Sequence, residues 1–357
     1  MSEIKVNSIK GVGASSAAIT VNNSDGTCTA NLTNKPNRNL IINGAFQVAQ
    51  RGTSSTSSGY ATVDRFKVNY SGTDEAPTQA QVDVVAGTTP YTLGFRKALK
   101  ITNGNQTGGA GEFDFIRLST ALEGQDIATS GWNYLSSSSF ITLSFWVKSS
   151  VPQNFYGFIR NTDGTMYQYP FETGSLTTDT WTKITKTISG NSNLTFNNDN
   201  GGAFELYIHQ FSGTGETASS VNLNAWATYS GSAKMPDFTT TWYTTNDATF
   251  EITGVQLEVS DHATDFEHRL VGDELVRCHR YCFVLPHSHQ GTSPNSQYVD
   301  MYIYHPTIMR AKPTVVQVGA QNIGGYDSNE SGTYASRFYT NSGTPRLGPD
   351  SQFDAEI

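Results

Sequence analysis

The chain has 357 residues, of which 15% are charged and 11% aromatic, with a formal net charge of −8. That length allows two or three separate cores. The charges are spread without clusters of Lys and Arg, which excludes a phosphate-binding nucleic-acid surface, and no apolar run reaches the ~20 residues that cross a bilayer. Gly, Ser, Thr and Asn stand where a helical protein carries Ala, Leu, Glu and Lys, so the expected class is all-β, with short strands and many turns.

The start, MSEIKVNSIK, has no apolar core of a secretory signal. The expectation is a protein that stays in the producing cell or leaves it by lysis, as virus particles do. Residues 1–37 offer only brief alternation (Ile4 and Val6, then AAITVNN) around GVGASS, too little for a core. They are expected to be an arm that orders by adding strands to a partner, or a loose tail. Pro36 in NKPNRN marks its end.

From residue 38 to 270 the strands come thickly. NLIINGAFQVAQRG, Asn39 to Gly52, reads as the first strand of a sandwich, and on that reading Ile42→Asp abolishes soluble expression. DRFKVNY puts Phe66, Val68 and Tyr70 on one face. FITLSFWVKSS sets Ile141, Leu143, Phe145 and Val147 against Thr142, Ser144, Trp146 and Lys148. FELYIH sets Phe204, Leu206 and Ile208 against Glu205, Tyr207 and His209. These are period-two patterns with one buried face, as in an antiparallel sandwich. In TFEITGVQLEV the phase slips between Phe250/Ile252 and Val255/Leu257/Val259, which predicts a β-bulge at Gly254. Eight to ten such strands with long polar loops predict a jelly-roll sandwich.

VGDELVRCHRYCF, within residues 271–284, is the one helix signal, with Gly272 and Asp273 as caps and Leu275, Cys278, His279 and Cys282 along one side. Residues 285–357 form a smaller C-terminal β domain, in which Val299, Met301 and Ile303 alternate with Asp300, Tyr302 and Tyr304. A unit this small is expected to pack on the main domain or on neighbouring copies. No repeat of 20–50 residues points to a propeller or solenoid.

Four residue sets invite a chemical reading. Cys278, Cys282, His287 and His289 have the right elements for zinc, but the intervening VLP and the exposed look of HSHQGTS favour an apolar helix side followed by a loop, and no metal or cofactor is expected. The strand carboxylates Asp114, Glu205, Glu251 and Glu258 are not singled out as a hydrolytic pair. No nucleophile elbow, P-loop or dinucleotide fingerprint is present, so the expectation is a protein without enzymatic activity. Rings beside small polar residues, Trp132 and Tyr134, Trp226 and Tyr229, Trp242 and Tyr243, suggest a platform for stacking sugars; the bland reading is that they cap the sandwich core.

NLIINGAFQVAQRG together with FEITGVQLEVSDHATDFEHRLVGDELVRCHRYC resembles a group of bacteriophage virion proteins, the tail fibres and fibre-like proteins frequent in phages of marine bacteria. MSEIKVNSIKGVGASSAAITVNN is similar to the N-terminal segment of many such fibres, and HPTIMRAKPTVV to the start of the β domain that commonly follows. The resemblance implies a jelly-roll similar to carbohydrate-binding modules in a non-enzymatic virion component. It further implies a homo-oligomer, in fibres usually a trimer, attached to other virion proteins through residues 1–37. The β domains would face outward to a host-surface glycan or protein. The chain departs from long fibres in having no coiled-coil shaft. A head decoration or connector without a ligand, and after that a polysaccharide depolymerase, are the other readings.

Overall fold

A computed structural model describes residues 6–13, 17–24, 26, 28–30, 36–291, 299–320, 322–327, 329, 331–340 and 344–357. The chain is all-β. Strands β1 (Ser8–Ile9), β2 (Ile19–Val21) and β3 (Cys28–Ala30) pair in order as a small antiparallel sheet. The expected arm thus contains local hairpins, and it leaves Val6, Ile9 and Val12 exposed. Ile4 and the rest of the opening residues of the arm lie outside the described residues.

The main body is an antiparallel jelly-roll sandwich. Its strands are β4 (Ser54–Ser55), β5 (Lys67–Ser71), β6 (Thr78–Asp83), β7 (Lys97–Thr102), β8 (Phe115–Glu123), β9 (Phe140–Ser149), β10 (Asn154–Asn161), β11 (Tyr167–Ser175), β12 (Thr182–Ser189), β13 (Gly202–Ser212), β14 (Ala227–Thr228) and β15 (Thr249–Glu258). They form two six-stranded sheets, ordered β14-β11-β10-β13-β8-β5 and β12-β9-β15-β7-β6-β4. The alternating residues do what period-two patterns require: Ile141, Leu143, Phe145 and Val147 of β9 meet Phe204, Leu206 and Ile208 of β13 in one shared core. The ladder of β15 with β9 shifts register between Thr253 and Gln256, and Gly254 has φ +66°, so the bulge expected there is present. It carries Val255 and Leu257 into the core, whereas Val259 ends up exposed.

The opening stretch differs from expectation. Residues 39–48 are not a strand. Asn43 (φ +61°) and Phe46 (φ +55°) turn left-handed, which breaks an extended run. The segment is a buried plug laid along β15 at its bulge: the Leu40 N–H donates to the Leu257 carbonyl (2.8 Å) and the Val255 N–H to the Gly44 carbonyl (2.8 Å). Asn43 holds the turn with its side chain, donating to the carbonyls of Val48 (2.8 Å) and Asp64 (2.9 Å). Gly44 is required there, because a Cβ would fall 2.0 Å from the Val255 carbonyl oxygen. Ile41 and Phe46 enter the core, but Ile42 is half-buried. Ile42→Asp is therefore expected to cost about 1–3 kcal/mol and leave a folded, soluble protein, read as a lowered melting temperature.

Helix Val271–His279 starts at Leu270 as its cap, earlier than Gly272 and Asp273, which stand inside it as exposed residues. It buries Glu274 and Cys278, and Leu275 is only half-buried. The helix stops at His279, so Cys282 is not a further turn of it: Cys282–Val284 is strand β16. The C-terminal unit continues with β17 (His289–Gln290), β18 (Val299–Tyr304), β19 (Thr314–Val316), β20 (Gly325–Asp327), β21 (Ala335–Thr340), β22 (Arg346–Leu347) and β23 (Gln352–Asp354). Three small antiparallel sheets, β16-β23-β19, β17-β22 and β18-β21-β20, close around Phe283, Met301, Ile303, Phe338 and Phe353. The side chain of Val299 lies outside the described residues.

An ionic seam joins this unit to the sandwich. Arg51 pairs with Asp64 (3.1 Å), Asp354 (2.8 Å) and Glu356 (3.4 Å). Arg65, itself left-handed at φ +70°, pairs with Glu356 and lies over the Tyr281 ring at 3.4 Å. Arg280 grips Glu123 through two hydrogen bonds of 2.7 and 2.6 Å, and the Tyr281 hydroxyl adds a third. Burial tends to raise the Glu123 carboxyl, but those donors hold it below the usual range. Asp64 is the opposite case. Burial outweighs the Arg51 guanidinium and the Gln50 amide and lifts its carboxyl from 3.8 to about 6. The native state then holds a proton that the unfolded chain has released, and this contribution to stability is lost as pH rises through about 6. Relative to the parent, Asp64→Asn is expected to gain stability between pH 4 and 7, as seen in paired melting curves across that range.

Candidate functional site

The outer faces of the two sheets differ. On the first sheet, residues 213–240 cross β10 and β13 as a strap. Met235 and Phe238 cover Phe158, Tyr207 and His209, so the face of FELYIH expected to be polar and wet is buried. Burial, with Arg117 and Lys234 nearby, holds the His209 imidazole well below its ordinary value, in the neutral form that such a site requires.

On the second sheet the outer face opens into a groove of about 350 Å³. Trp146 of β9 is directly opposite Lys183 of β12 on one side and Thr253 of β15 on the other. The groove continues over the Gly254 bulge to Phe95, Phe266 and His268, with Thr92, Leu93, Ser144 and Asp265 on its walls. Two glycines make this packing possible. A Cβ on Gly254 would meet the Phe95 ring at 2.6 Å, and one on Gly94 (φ +99°) would meet the His268 ring at 3.0 Å. Phe95, Phe266 and His268 form a three-ring cluster with centroids 4.9 to 5.1 Å apart. His268 Nε2 donates to the Leu93 carbonyl (2.8 Å), which fixes the imidazole. Behind Trp146, Lys148 pairs with Glu251 (3.0 Å) and lies over the Trp181 ring.

The arrangement is an apolar ring surface with Lys183 and Asp265 among its lining residues, while the Thr92 hydroxyl donates to the Thr89 carbonyl (2.8 Å). That is the composition of a small-molecule cleft, and its volume suits one or two sugar rings. None of the six rings expected to form a platform lines it. Trp132, Trp242 and Tyr243 are core residues, and a buried ring has no face to offer a sugar. Trp132 packs on Phe196 and Phe204, Trp242 donates to the Thr249 carbonyl (3.1 Å), and Tyr243 stacks on Phe211 at 4.2 Å. Tyr134 packs edge-on against Phe196, Trp226 donates to the Ser189 carbonyl (2.8 Å), and Tyr229 sits beneath the Arg160 guanidinium. These are anchors for loops at three separate places. Trp146 was visible in the sequence as the ring facing away from Phe145, and Lys183 beside Trp181 supplied a second sign, but which strand lies beside which is set by the tertiary pairing.

The other candidates also resolve into structural parts. Asp114 accepts from the Tyr243 hydroxyl (3.0 Å), Glu205 pairs with Arg160 (2.5 Å), Glu251 with Lys148, and Glu258 accepts from the Thr264 N–H (2.8 Å). Cys278 and Cys282 are buried, and burial pushes both thiols well above their usual value, while His289 stands exposed on β17. Among the described residues no three His, Cys, Asp or Glu side chains converge in a way that could hold a metal.

No protein-family model matches the chain, and no curated protein matches it. Several solved structures are similar over part of its length. The enzymatically active domain of tailspike protein 4 of bacteriophage CBA120 aligns at 10% identity and a TM-score of 0.32, over 63% of this chain and 22% of that one. This chain thus spans about a fifth of the tailspike domain's length. TmCBM61, in complex with β-1,4-galactotriose, aligns at 10% identity and a TM-score of 0.29, over 62% of this chain and 99% of that one. A family 11 carbohydrate-binding module from Clostridium thermocellum, in complex with a β-1,3-1,4-mixed-linked tetrasaccharide, aligns at 11% identity and a TM-score of 0.26, over 60% and 98%. Scores this low fix no residue correspondence, so the fold assignment rests on the strand pairing of this chain itself.

Proposed function

We propose that this chain is a non-enzymatic structural protein of a phage particle, oligomeric, attached through residues 1–37, and that its sandwich binds a host-surface glycan in the groove over Trp146. The observation that carries the reading is that groove: an open sheet face floored by Trp146, walled by Phe266 and His268, with Lys183 and Asp265 at hand. The sequence resemblance to fibre-like virion proteins supports the setting. Modest affinity per groove suffices when several copies engage one surface.

The purified chain is expected to retain neutral or mixed oligosaccharides on a glycan array and to release no new reducing ends from host capsule. Deleting residues 1–37 is expected to leave a folded body that no longer joins particles. A ligand-free connector is the second reading, and the burial of Trp132, Trp242 and Tyr243 within the core favours it. A silent array alongside normal particle incorporation would establish that alternative.

A further inference from the structure

The groove over Trp146 lies among unevenly placed charges. Cross-strand partners in an antiparallel ladder share a face, and Lys183 of β12 is directly opposite Trp146 of β9. The lysine stem and the indole therefore start side by side on the open side of the second sheet. The next outward row, two residues along β9, runs from Trp181 through Lys148 and Glu251 to Lys100. Together the two rows hold three lysines and one carboxylate. Lys148 is already engaged, paired with Glu251 at 3.0 Å and lying over the Trp181 ring at 5.3 Å. Lys183 is different: it is exposed, and among the described residues it has no ion-pair or hydrogen-bond partner. The opposite wall holds the acid. Asp265 belongs to a segment laid over β15, where its carbonyl accepts from the Gln256 amide (3.3 Å) and the Glu267 N–H donates to the Gln256 carbonyl oxygen (2.8 Å). Strand β9, with Trp146, runs between β12 and β15, which places the two charged residues two strand spacings apart, about 10 Å.

We infer that the groove selects a mixed saccharide, in which an acidic unit adjoins the neutral unit stacked on Trp146, and that Lys183 is the residue that reads the acid. The inference rests on the groove being a saccharide site. The uneven charges set the direction of the chain: the acidic unit lies over β12, because at the other end it would meet Asp265. A wholly neutral saccharide leaves the Lys183 ammonium in water. A wholly acidic one gains Lys183 and is opposed by Asp265. The net charge of −8 repels acidic polymers from the chain as a whole, so a preference for acid has to come from a local cation. Lysine is a compact point charge without the fork of arginine, so the chemistry it reads is one negative charge, on a uronic acid or on a sulfated sugar. An exposed pair of this kind changes affinity by up to about fivefold, enough to choose among saccharides that Trp146 holds equally well.

The test titrates the full chain with three saccharides of equal length: one wholly neutral, one with a single uronic acid and one with a single sulfated unit. At low salt the two acidic forms are expected to bind about three- to fivefold more tightly than the neutral one. The gap should close near 1 M salt, where the screening length is about 3 Å. Lys183→Gln is expected to abolish the preference while neutral binding stays within about twofold, and Lys183→Glu to reverse it. Lys186→Gln is the control: Lys186 stands on the other side of β12, near Glu172, so the change removes the same charge from the chain and leaves the preference in place. Circular dichroism checks that each variant folds. A gain confined to the uronic acid, and lost with Lys183, still supports the inference and restricts the acid to a carboxylate. Equal binding of neutral and acidic forms, in a protein whose binding falls with Trp146→Ala, overturns the inference and leaves the groove as a saccharide site. A preference that survives Lys183→Gln, or that Lys186→Gln also removes, overturns it by tracing the effect to another cation or to net charge. Absence of any Trp146-dependent binding removes the groove reading, and the inference with it.

Discussion

Trp146→Ala is expected to weaken glycan binding in the groove about thirtyfold while the protein stays folded, with a modestly lowered melting temperature. Central aromatic anchors in a binding surface are worth about 2 kcal/mol or more, and 1.4 kcal/mol is a factor of ten. The side chain projects from the outer face of β9, so removing it spares the sandwich core built from Leu143, Phe145 and Val147 of the same strand and takes contacts only from the smaller cluster around Phe95. Isothermal titration with the best array ligand measures the affinity, and thermal denaturation checks the fold. Lys183→Ala is the milder companion, because an exposed ammonium in water contributes little energy and mainly selects orientation. An unchanged affinity in Trp146→Ala would remove the groove as the site.

Glu356→Ala is expected to destabilise the protein by about 3–5 kcal/mol, the cost of leaving a buried charge uncompensated. Glu356 is the ion-pair partner of Arg65 and one of three carboxylates around Arg51. Arg51 retains Asp64 and Asp354. Arg65 keeps the Ala121 carbonyl and the Tyr281 ring, neither of which carries charge to balance it. The loss should lower the melting temperature by roughly 10 °C. It should also loosen the C-terminal unit, because Tyr60 and Arg310 bind the adjoining backbone of Ala355 to Ile357. Hydrogen exchange at β23 reports that loosening directly. Protection at β23 equal to that of the parent would show that the Phe353 cluster inside the C-terminal unit, and not the ionic seam, keeps β23 in place.

The phase of hydrophobic residues along each strand made the class legible. Ile141 to Val147 and Phe204 to Ile208 point inward because a pleat alternates faces whatever the partner, and a slip of phase needs an extra residue, so Gly254 was legible as a bulge. Sequence also marked where rings sit. It did not say which rings are buried, because burial of a loop ring depends on what folds over it. Trp242 and Tyr243 look like TTTWYTT loop residues, yet they close one end of the sandwich. FELYIH looks half-wet, yet the strap with Met235 and Phe238 lies across it.

NLIINGAF shows the same division in one segment. Its apolar character determined that it is buried, and burial is what an apolar run requires in water. That it is a plug and not a strand was decided by contacts with partners more than 200 residues away, Val255, Leu257 and Glu274, which bond to Asn39 and Asn43 and stabilise a left-handed turn. The proposed groove belongs to the same category: Trp146 and Lys183 are neighbours only through strand register, and Phe266 reaches them from the segment that follows β15. Local sequence specifies the period of a strand, whereas cross-strand pairing and packing specify its partner.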